Sequence, residues 1–579
     1  MPDALQVRIG QYSDRGRKAL NQDFHGACVP SGEALSRKGV ALALADGISS
    51  SEVSHFASAA AVHALLQDYY CTSEAWSVRR SVQCVLAATN AWLHAQTRRG
   101  PHRFDADRGH VCTLSALVLK GATAHLFHVG DSRIYRVQGQ ALEQLTEDHR
   151  VVLEGGSSHL SRALGVHPQL DLDYRSVAVD AGDTFVLITD GVHEHVRGAF
   201  VTEALREHAD DLDEAARAIA CEALRCGSED NLTVQILCID ALAEDAGEAL
   251  QRRRADLRLP PLLEPRAVLD GFEIVRKLHA SHRSHVYLAI DQESGEHVVL
   301  KTPAVDMQAD EAALERFLLE EWIARRIHSP HVLRAVPSQR RREHLFVALE
   351  YVPGQTLAQW MTDHPRPQLA EVRGIVIQIA RGLQAFHRME MLHQDLRPEN
   401  VLIDATGTVK IIDFGAVCVA GLEESRVADR PADILGTLQY TAPEYFLGEA
   451  GTPRSDLFSL GVITYQMLTG RLPYGAQVAQ LRSRAALRRL RYSSALHDES
   501  LSIPAWVDTV LERAVHPDPI KRQEALSEFV HELHQPGAAT LARTRTPLVR
   551  RNPLLFWRTL SLLLGLAVVA LIGVLHAQQ

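Results

Sequence analysis

The stretch Val40-Ala-Leu-Ala-Leu-Ala-Asp46-Gly47 sets six apolar residues directly before an acid and a glycine, and Thr184-Phe-Val-Leu-Ile-Thr-Asp190-Gly191 repeats the arrangement. A short apolar run closed by turn residues reads as a buried strand, so each aspartate is expected at a strand's end. Glycine lets the backbone turn sharply there and approach a metal closely. Further strands are read at Thr113–Leu119, Ala124–Val129, Ile134–Val137 and Thr233–Ile239. Apolar positions at helical spacing predict helices over Glu52–Tyr70, Val78–Thr97 and Asp213–Leu224. Strands and helices mixed without strict alternation argue for a layered α+β fold over a doubly wound sheet.

Either Asp-Gly alone is an ordinary turn. Together with Asp23 and Asp230-Asn231 they form a dispersed set of acidic turns suited to a dinuclear metal site. Hard divalent ions take oxygen ligands, and two of them can generate a hydroxide and clamp a phosphoryl group.

From Phe272 the pattern changes. Phe272–Leu278, His285–Asp291 and His297–Lys301 alternate like strands of a small sheet, Leu314–Ile327 has helical spacing, and long helices follow at Leu369–Met389 and Ser455–Thr469. Phosphoryl transfer needs a cation on the nucleotide phosphates, magnesium ligands and a positioner for the acceptor hydroxyl. Lys301, with Glu320 on the next helix to pair with it, offers the cation. The loop His393-Gln-Asp395-Leu-Arg-Pro-Glu-Asn400 offers Asp395 as positioner and Asn400 as ligand, and Asp413-Phe414-Gly415 offers a second ligand. Their order and spacing, with Ala442-Pro443-Glu444 downstream, make chance a poor explanation.

The remaining composition is consistent with a two-domain intracellular enzyme. A chain of 579 residues is too long for one core, and a net charge of −10 gives no reason to expect nucleic acid. Eight scattered cysteines without a C-x-x-C pair fit a reducing compartment, and no secretory signal is visible after Met1. Ala241–Gly271, with Pro260, Pro261 and Pro265, reads as a semi-stiff linker with a short helical possibility at Glu248–Leu257. Gln535–Pro553 reads as a tether. Thr559–Leu575 carries no charge and, extended back to Leu555, is expected to form one transmembrane helix. Arg543, Arg545, Arg550 and Arg551 on its N-terminal side place the preceding domains in the cytoplasm. With only His576–Gln579 beyond it, no external sensor is expected.

Residues 6–240 resemble the metal-dependent, protein-phosphatase-2C-like serine/threonine phosphatases. The resemblance rests on Gly16–Asp23, Ala45–Ser54, Val129–Arg133, Gln144–His149, Leu160–Gly165, Leu187–Gly191 and Gly227–Thr233, seven stretches in order. It implies a β-sandwich flanked by helices and two or three Mg²⁺ or Mn²⁺ ions. Asp46 would bridge two of them and the Gly47 carbonyl would bind one. Asp190 and Asp230 would hold the other, with Asp23 orienting bound water. Asp131 and Glu194 match a third, weaker site. Lys18 stands where the family has a phosphate-binding arginine and keeps the charge without the bidentate fork.

Residues 272–534 resemble the eukaryotic-like serine/threonine protein kinases, with further matches at Glu350–Gly354, Gly436-Thr437, Asp456, Gly461 and Arg522. That implies a bilobal fold using ATP with Mg²⁺. Three features depart from the family. His279, Ser281 and Ser284 replace the glycines of the nucleotide loop, Gln394 replaces the arginine before the catalytic aspartate, and Arg397 replaces a lysine. The group His279, His282 and His285 reads as a solvated loop, its spacing being poor for a metal.

The expected molecule is therefore a bifunctional protein phosphatase and kinase. Its partners would be phosphoproteins, protein substrates, ATP, the membrane and itself through autophosphorylation, with Ser425, Thr437 and Thr441 as candidate acceptors. A phosphatase governed by a nucleotide- or partner-binding pseudokinase, and a non-catalytic membrane scaffold, are the alternatives.

Overall fold

The computed structural model describes residues 5–568 apart from 102, 153–157, 243–256, 282–283, 305–310, 338–339, 341, 424–438, 482, 502 and 537–556. Among these residues the first domain has twelve strands: β1 Gln6–Asp14, β2 Phe24–Cys28, β3 Val40–Ala45, β4 Leu114–Lys120, β5 Thr123–Val129, β6 Arg133–Gln138, β7 Ala141–Gln144, β8 Arg150–Val152, β9 Ser158–Leu160, β10 Asp173–Ala178, β11 Thr184–Ile188 and β12 Leu232–Ala241. Ten of them form two five-stranded sheets, β1-β12-β11-β6-β7 and β10-β5-β4-β3-β2.

The opening stretch explains the layering. Every residue of β3 is fully buried, as a strand covered on both faces requires. Val40, Leu42 and Leu44 point between the sheets toward Phe185, Leu187, Leu237 and Ile239. Ala41, Ala43 and Ala45 point the other way, onto the helices Ser54–Cys71 and Val78–Arg99. On the far side Val186, Ile188, Val234 and Ile236 pack beneath Gly198–Glu207 and Leu212–Arg225. The result is a sandwich flanked by helices. The pairing Leu44↔Ser115 puts the C-terminal end of β3 beside the start of β4, so Asp46 lies at one end of the sandwich and Lys120 at the other.

The second domain begins with a five-stranded antiparallel meander, Val268–Leu269, Phe272–Ala280, Ser284–Asp291, His297–Pro303 and Val347–Glu350. The helix Glu311–Arg326 packs near it. A larger helical lobe follows, centred on Leu369–Arg388 and Pro453–Thr469, whose Leu383, Phe386, Phe458 and Ile463 share one core.

One boundary shifts from expectation. The segment read as linker up to Gly271 is part of the second domain from Leu257 onward. Leu263 and Leu269 fill the small lobe's core with Phe272 and Tyr287, and Leu345 N–H donates to the Arg258 carbonyl at 2.8 Å. The prolines there block regular structure, yet the leucines between them still find an apolar site. Most of Glu248–Leu257 and of the Gln535–Pro553 tether lies outside the described residues. So does the end of the expected membrane segment. Residues 557–568 are helical with Leu562, Leu563, Leu564, Leu566 and Val568 exposed, and among the described residues no helix is long and apolar enough to cross a membrane.

Candidate active sites

The acids of the first domain collect where β3 and β11 end and β12 begins. The Asp46 amide donates to Thr113 Oγ1 at 3.0 Å, and the Thr113 amide returns a bond to the Asp46 carbonyl at 2.8 Å, which fixes the turn. A side chain at Gly47 would meet Ser54 Oγ at 2.8 Å and the Gln22 carbonyl at 2.9 Å, so only glycine fits. Asp190 opens a one-turn helix, Asp190–His193. A Cβ at Gly191 would lie 2.2 Å from the Asn231 carbonyl, and that close approach brings the Asp230-Asn231 turn alongside. Asn231 secures the opposite wall, donating through Nδ2 to the carbonyls of Arg15 and Leu20 and accepting from the Gln22 amide.

Carboxylate oxygens of Asp46, Asp131 and Asp190 come within 4.8 Å of one another. Asp23 lies buried behind them, its Oδ2 accepting from Thr233 Oγ1 at 2.6 Å and Thr189 Oγ1 at 3.2 Å, while Oδ1 is buried without a protein donor. The crowding has an electrostatic consequence. Burial, and then its acidic neighbours, push Asp46 well above the ordinary carboxylate range. Burial lifts Asp23 to about 7 against the pull of its threonine donors. Burial and Asp190 lift Asp131 to about 6 although Arg150 opposes them. An all-oxygen donor set, like charges held together and a buried oxygen lacking a donor fit hard divalent cations.

Two protein cations reach this cluster. Arg150 donates Nε to Asp131 at 2.6 Å and Nη2 to Asp190 at 2.8 Å, and Nη1 bonds Glu194. Lys18 pairs with Asp230 and donates to Ser49 Oγ at 2.6 Å. The structure therefore gathers Asp23, Asp46, Gly47, Asp131, Asp190 and Glu194. It places Asp230 at the margin, bound to the lysine expected to hold substrate phosphate.

In the second domain Lys301 Nζ lies 2.8 Å from Glu320 Oε1 and 3.0 Å from Asp413 Oδ1. Burial opposes Asp413's charge, but the Lys301 ammonium and the Gly415 amide outweigh it and hold the acid at about 2. Glu320 is shifted upward by its burial, with Lys301 pulling against it. Asn400 Nδ2 donates to the Asp395 carbonyl at 2.9 Å and to its carboxylate at 3.3 Å, tying the loop across itself. Asp456 braces that loop from below, accepting from the amides of His393 at 2.9 Å and Gln394 at 3.0 Å. Downstream, Glu444 and Arg522 form a buried bidentate pair at 2.7 and 2.8 Å.

Residues 11–236 match the family described as protein phosphatase 2C, and residues 272–534 the family described as protein kinase domain. The chain joins a protein phosphatase 2C domain to a serine/threonine protein kinase domain. Among curated proteins it is similar to the serine/threonine-protein kinase PrkC of Bacillus subtilis, 27% identical over 46% of this chain and 41% of that protein. It is 30% identical to the serine/threonine-protein kinase pkn2 of Myxococcus xanthus over 48% of this chain and 34% of that one. The chain thus spans less than half the length of either relative. Among solved structures, the Mycobacterium tuberculosis serine/threonine phosphatase PstP/Ppp aligns at 26% identity and a TM-score of 0.34, over 40% of this chain and 99% of that one. The Mycobacterium tuberculosis PknI kinase domain aligns at 26% identity and 0.36, over 48% and 99%.

Several functional neighbours escaped the sequence reading. Arg150 directly follows the stretch Gln144–His149 and could have been found as a cation beside an acidic set. Thr113, Thr189 and Thr233 looked like ordinary strand residues. In the kinase domain the nucleotide hairpin stays paired in an antiparallel ladder as far as His279↔Val286 and Ala280↔His285, with register shifts between Ile274 and Arg276 and between Lys277 and His279. Ser281 closes its turn, donating its amide to the Ser284 carbonyl at 2.9 Å and accepting the Ser284 amide on Oγ at 3.1 Å. His279 is thus a strand residue rather than part of a loop, while His282 lies outside the described residues. Thr441 is buried and so a poor phosphate acceptor; Ser425 and Thr437 lie outside the described residues.

Proposed function

We propose that the chain is a bifunctional enzyme of reversible protein phosphorylation, hydrolysing phosphoserine and phosphothreonine in its first domain and transferring phosphate from ATP in its second. The observation that carries the reading is the Lys301–Glu320–Asp413 contact. It assembles the nucleotide cation and a magnesium ligand in one place, as transfer from ATP requires, and a domain kept only to bind a protein partner would have no need of it. In the phosphatase domain Asp46, Asp190 and Asp131, with the Gly47 carbonyl and Asp230 nearby, would hold Mg²⁺ or Mn²⁺, and bound ions would supply an activated water and neutralise the phosphoryl oxygens. Asp23, braced by Thr189 and Thr233, would orient that water. Asp395 would position the acceptor hydroxyl in the kinase domain, with Asn400 and Asp413 on magnesium.

We place the enzyme at the cytoplasmic face of a membrane. The outward-facing leucines of residues 557–568 and the arginines before them support this. The hairpin without glycines favours the second reading, in which the kinase domain only binds nucleotide or a partner.

Incubation of the chain with labelled ATP and Mg²⁺ or Mn²⁺ separates these readings. Wild-type protein should stay nearly unlabelled, Asp46→Ala protein should accumulate phosphate, and Asp46→Ala with Asp395→Ala should lose it. An Asp46→Ala chain that labels neither itself nor a generic substrate would establish the pseudokinase reading. For the membrane, full-length protein recovered in the soluble fraction at low salt would remove the anchor.

A further inference from the structure

Among the described residues the phosphatase domain meets the kinase domain through a short turn, residues 72–77, between the helices Ser54–Cys71 and Val78–Arg99, and through Lys120 at the end of β4. Ala75 is fully buried within the kinase domain's own core, and its carbonyl accepts from the Gly421 amide at 3.0 Å. A Cβ at Gly421 would stand 2.6 Å from the Glu74 carbonyl and 2.8 Å from that of Trp76, so the turn closes on a residue that must be glycine. Trp76 Nε1 donates to the Arg388 carbonyl at 2.9 Å. The Ser77 amide and hydroxyl both donate to one carboxylate oxygen of Glu390, at 2.7 and 2.8 Å. Ser77 also caps its own helix, accepting from the Arg80 amide. Glu74 pairs with Arg326 at 3.1 Å. Lys120, buried at the end of β4, donates to the Gly421 carbonyl at 2.5 Å.

The kinase residues so held are not a random patch. Arg326 ends the helix that carries Glu320. Glu390, in the left-handed region at φ 52°, leads into Met391–Leu392 and so into the loop of Asp395. Met391–Leu392 pairs with Cys418–Val419, which follows Asp413-Phe414-Gly415 and precedes Gly421. The Ala420 amide donates to the Glu390 carbonyl at 3.1 Å, joining the two strands at the point where the phosphatase turn grips both. The turn and Lys120 therefore hold the roots of the three segments that carry Glu320, Asp395 and Asp413.

We infer that the phosphatase domain is the built-in positioning partner of the kinase domain: its 72–77 turn and Lys120 hold the catalytic loop, the start of the activation segment and the Glu320 helix in the arrangement competent for transfer. Gln394, before the catalytic aspartate, has no charge with which to receive an activating phosphate, and the docked turn supplies permanently what such a phosphate would supply on demand. The phosphatase acids lie at the other end of β3 and β4, roughly 20 Å away along the strands, so the contact leaves that site open. The inference rests on the proposed kinase activity, and its test keeps the two apart.

The test uses the full chain carrying Asp46→Ala, so that label is not erased. Glu390→Ala and Lys120→Met, made separately and together, should lower kcat toward a generic protein substrate by about tenfold or more and leave the KM for ATP within about twofold. Glu390→Gln, which keeps an acceptor oxygen for Ser77, should restore most of the rate. Hydrogen exchange at residues 389–392 and 418–421 should quicken in Glu390→Ala, and phosphopeptide hydrolysis by the same interface variants in the Asp46 background should match wild type. An active Asp46→Ala kinase indifferent to these substitutions overturns the positioning role alone, as does unchanged exchange. An inactive Asp46→Ala kinase overturns the kinase reading and this inference with it.

Discussion

In the phosphatase domain Asp23, Asp46, Asp131 and Asp190 crowd at the ends of buried strands, and three of them are pushed up by burial and by one another. In the kinase domain Glu320 and Asp413 are held apart by the Lys301 ammonium between them. The first site keeps repulsion that Arg150 and Lys18 offset only in part, so added cations have more to relieve. The second arrives neutralised, its geometry set before any nucleotide binds. One site should therefore respond steeply to metal, and the other to loss of a single internal partner.

The sharpest test of the first half is Asp46→Ala. Removing the acid nearest the centre of the cluster should lower metal-dependent hydrolysis of a phosphopeptide by more than about 100-fold, beyond what losing an outer-shell partner of a metal costs. Full turnover by this variant, or by wild type in excess chelator, would break the metal assignment. For the second half, Glu320→Gln leaves Lys301 paired to Asp413 alone. Phosphoryl transfer should fall by roughly 10- to 100-fold, because the lysine is drawn off its position and misplacement on this scale is that costly. The comparison fails if this change is silent.

The two halves should also melt in opposite senses with pH. Asp23 in the metal-free fold binds its proton up to about 7, whereas the unfolded carboxyl releases it near 3.9. The native state thus holds more protons across that window, so stability is greatest below it and falls as pH rises toward 7. Asp413 is the reverse case. Held at about 2, it contributes stability above the unfolded value and loses it as pH falls toward 2. Metal-free chain followed by calorimetry should show the phosphatase transition dropping between pH 5 and 7.5. A loss of about 2 kcal/mol corresponds to roughly 4–8 °C, and Mn²⁺ should restore it most at the higher pH. A phosphatase transition that rises with pH without metal would contradict the crowding argument.

Much of this contrast was legible in the sequence. The acids after apolar runs, and the order Lys301, Glu320, Asp395, Asn400, Asp413, were plain because strand ends and fixed spacings leave a linear trace. The edge strands Gln6–Asp14, Phe24–Cys28 and Asp173–Ala178 were missed because their half-exposed residues mix polar and apolar types. The packing of Leu263 and Leu269 was hidden by the prolines beside them. Arg150 left a trace only in its place directly after Gln144–His149, and its three acidic partners could not be read there. The docking of residues 72–77 could not be read at all, since it depends on which distant segments meet.

Arg150 offers a smaller probe. Its guanidinium sits among Asp131, Asp190 and Glu194, the acids matched to a third ion. A cation entering there must displace it. Arg150→Ala should raise Mn²⁺ affinity measured by calorimetry by a few-fold to about tenfold, roughly 1.4 kcal/mol at most. It should also add binding stoichiometry if the third position becomes free. Weaker binding in this variant would show instead that the arginine helps hold the metals' carboxylates in place.

The smallest effect is expected at the nucleotide hairpin. Ser281 already closes the turn with its own amide and hydroxyl, so the backbone there does not depend on glycine for its shape. What glycine would add is closer approach of the amides to phosphate. His279 pairs with Val286 in the ladder, and its side chain is exposed, so His279→Gly removes bulk while costing strand stability. The two effects oppose each other, and the KM for ATP should fall by no more than about threefold, under 1 kcal/mol, with kcat unchanged. A tenfold gain would mean that the hairpin, not the Lys301 triad, limits the kinase. The site set before nucleotide arrives would then be only half of what the kinase domain needs, and the contrast with the metal-hungry phosphatase would narrow accordingly.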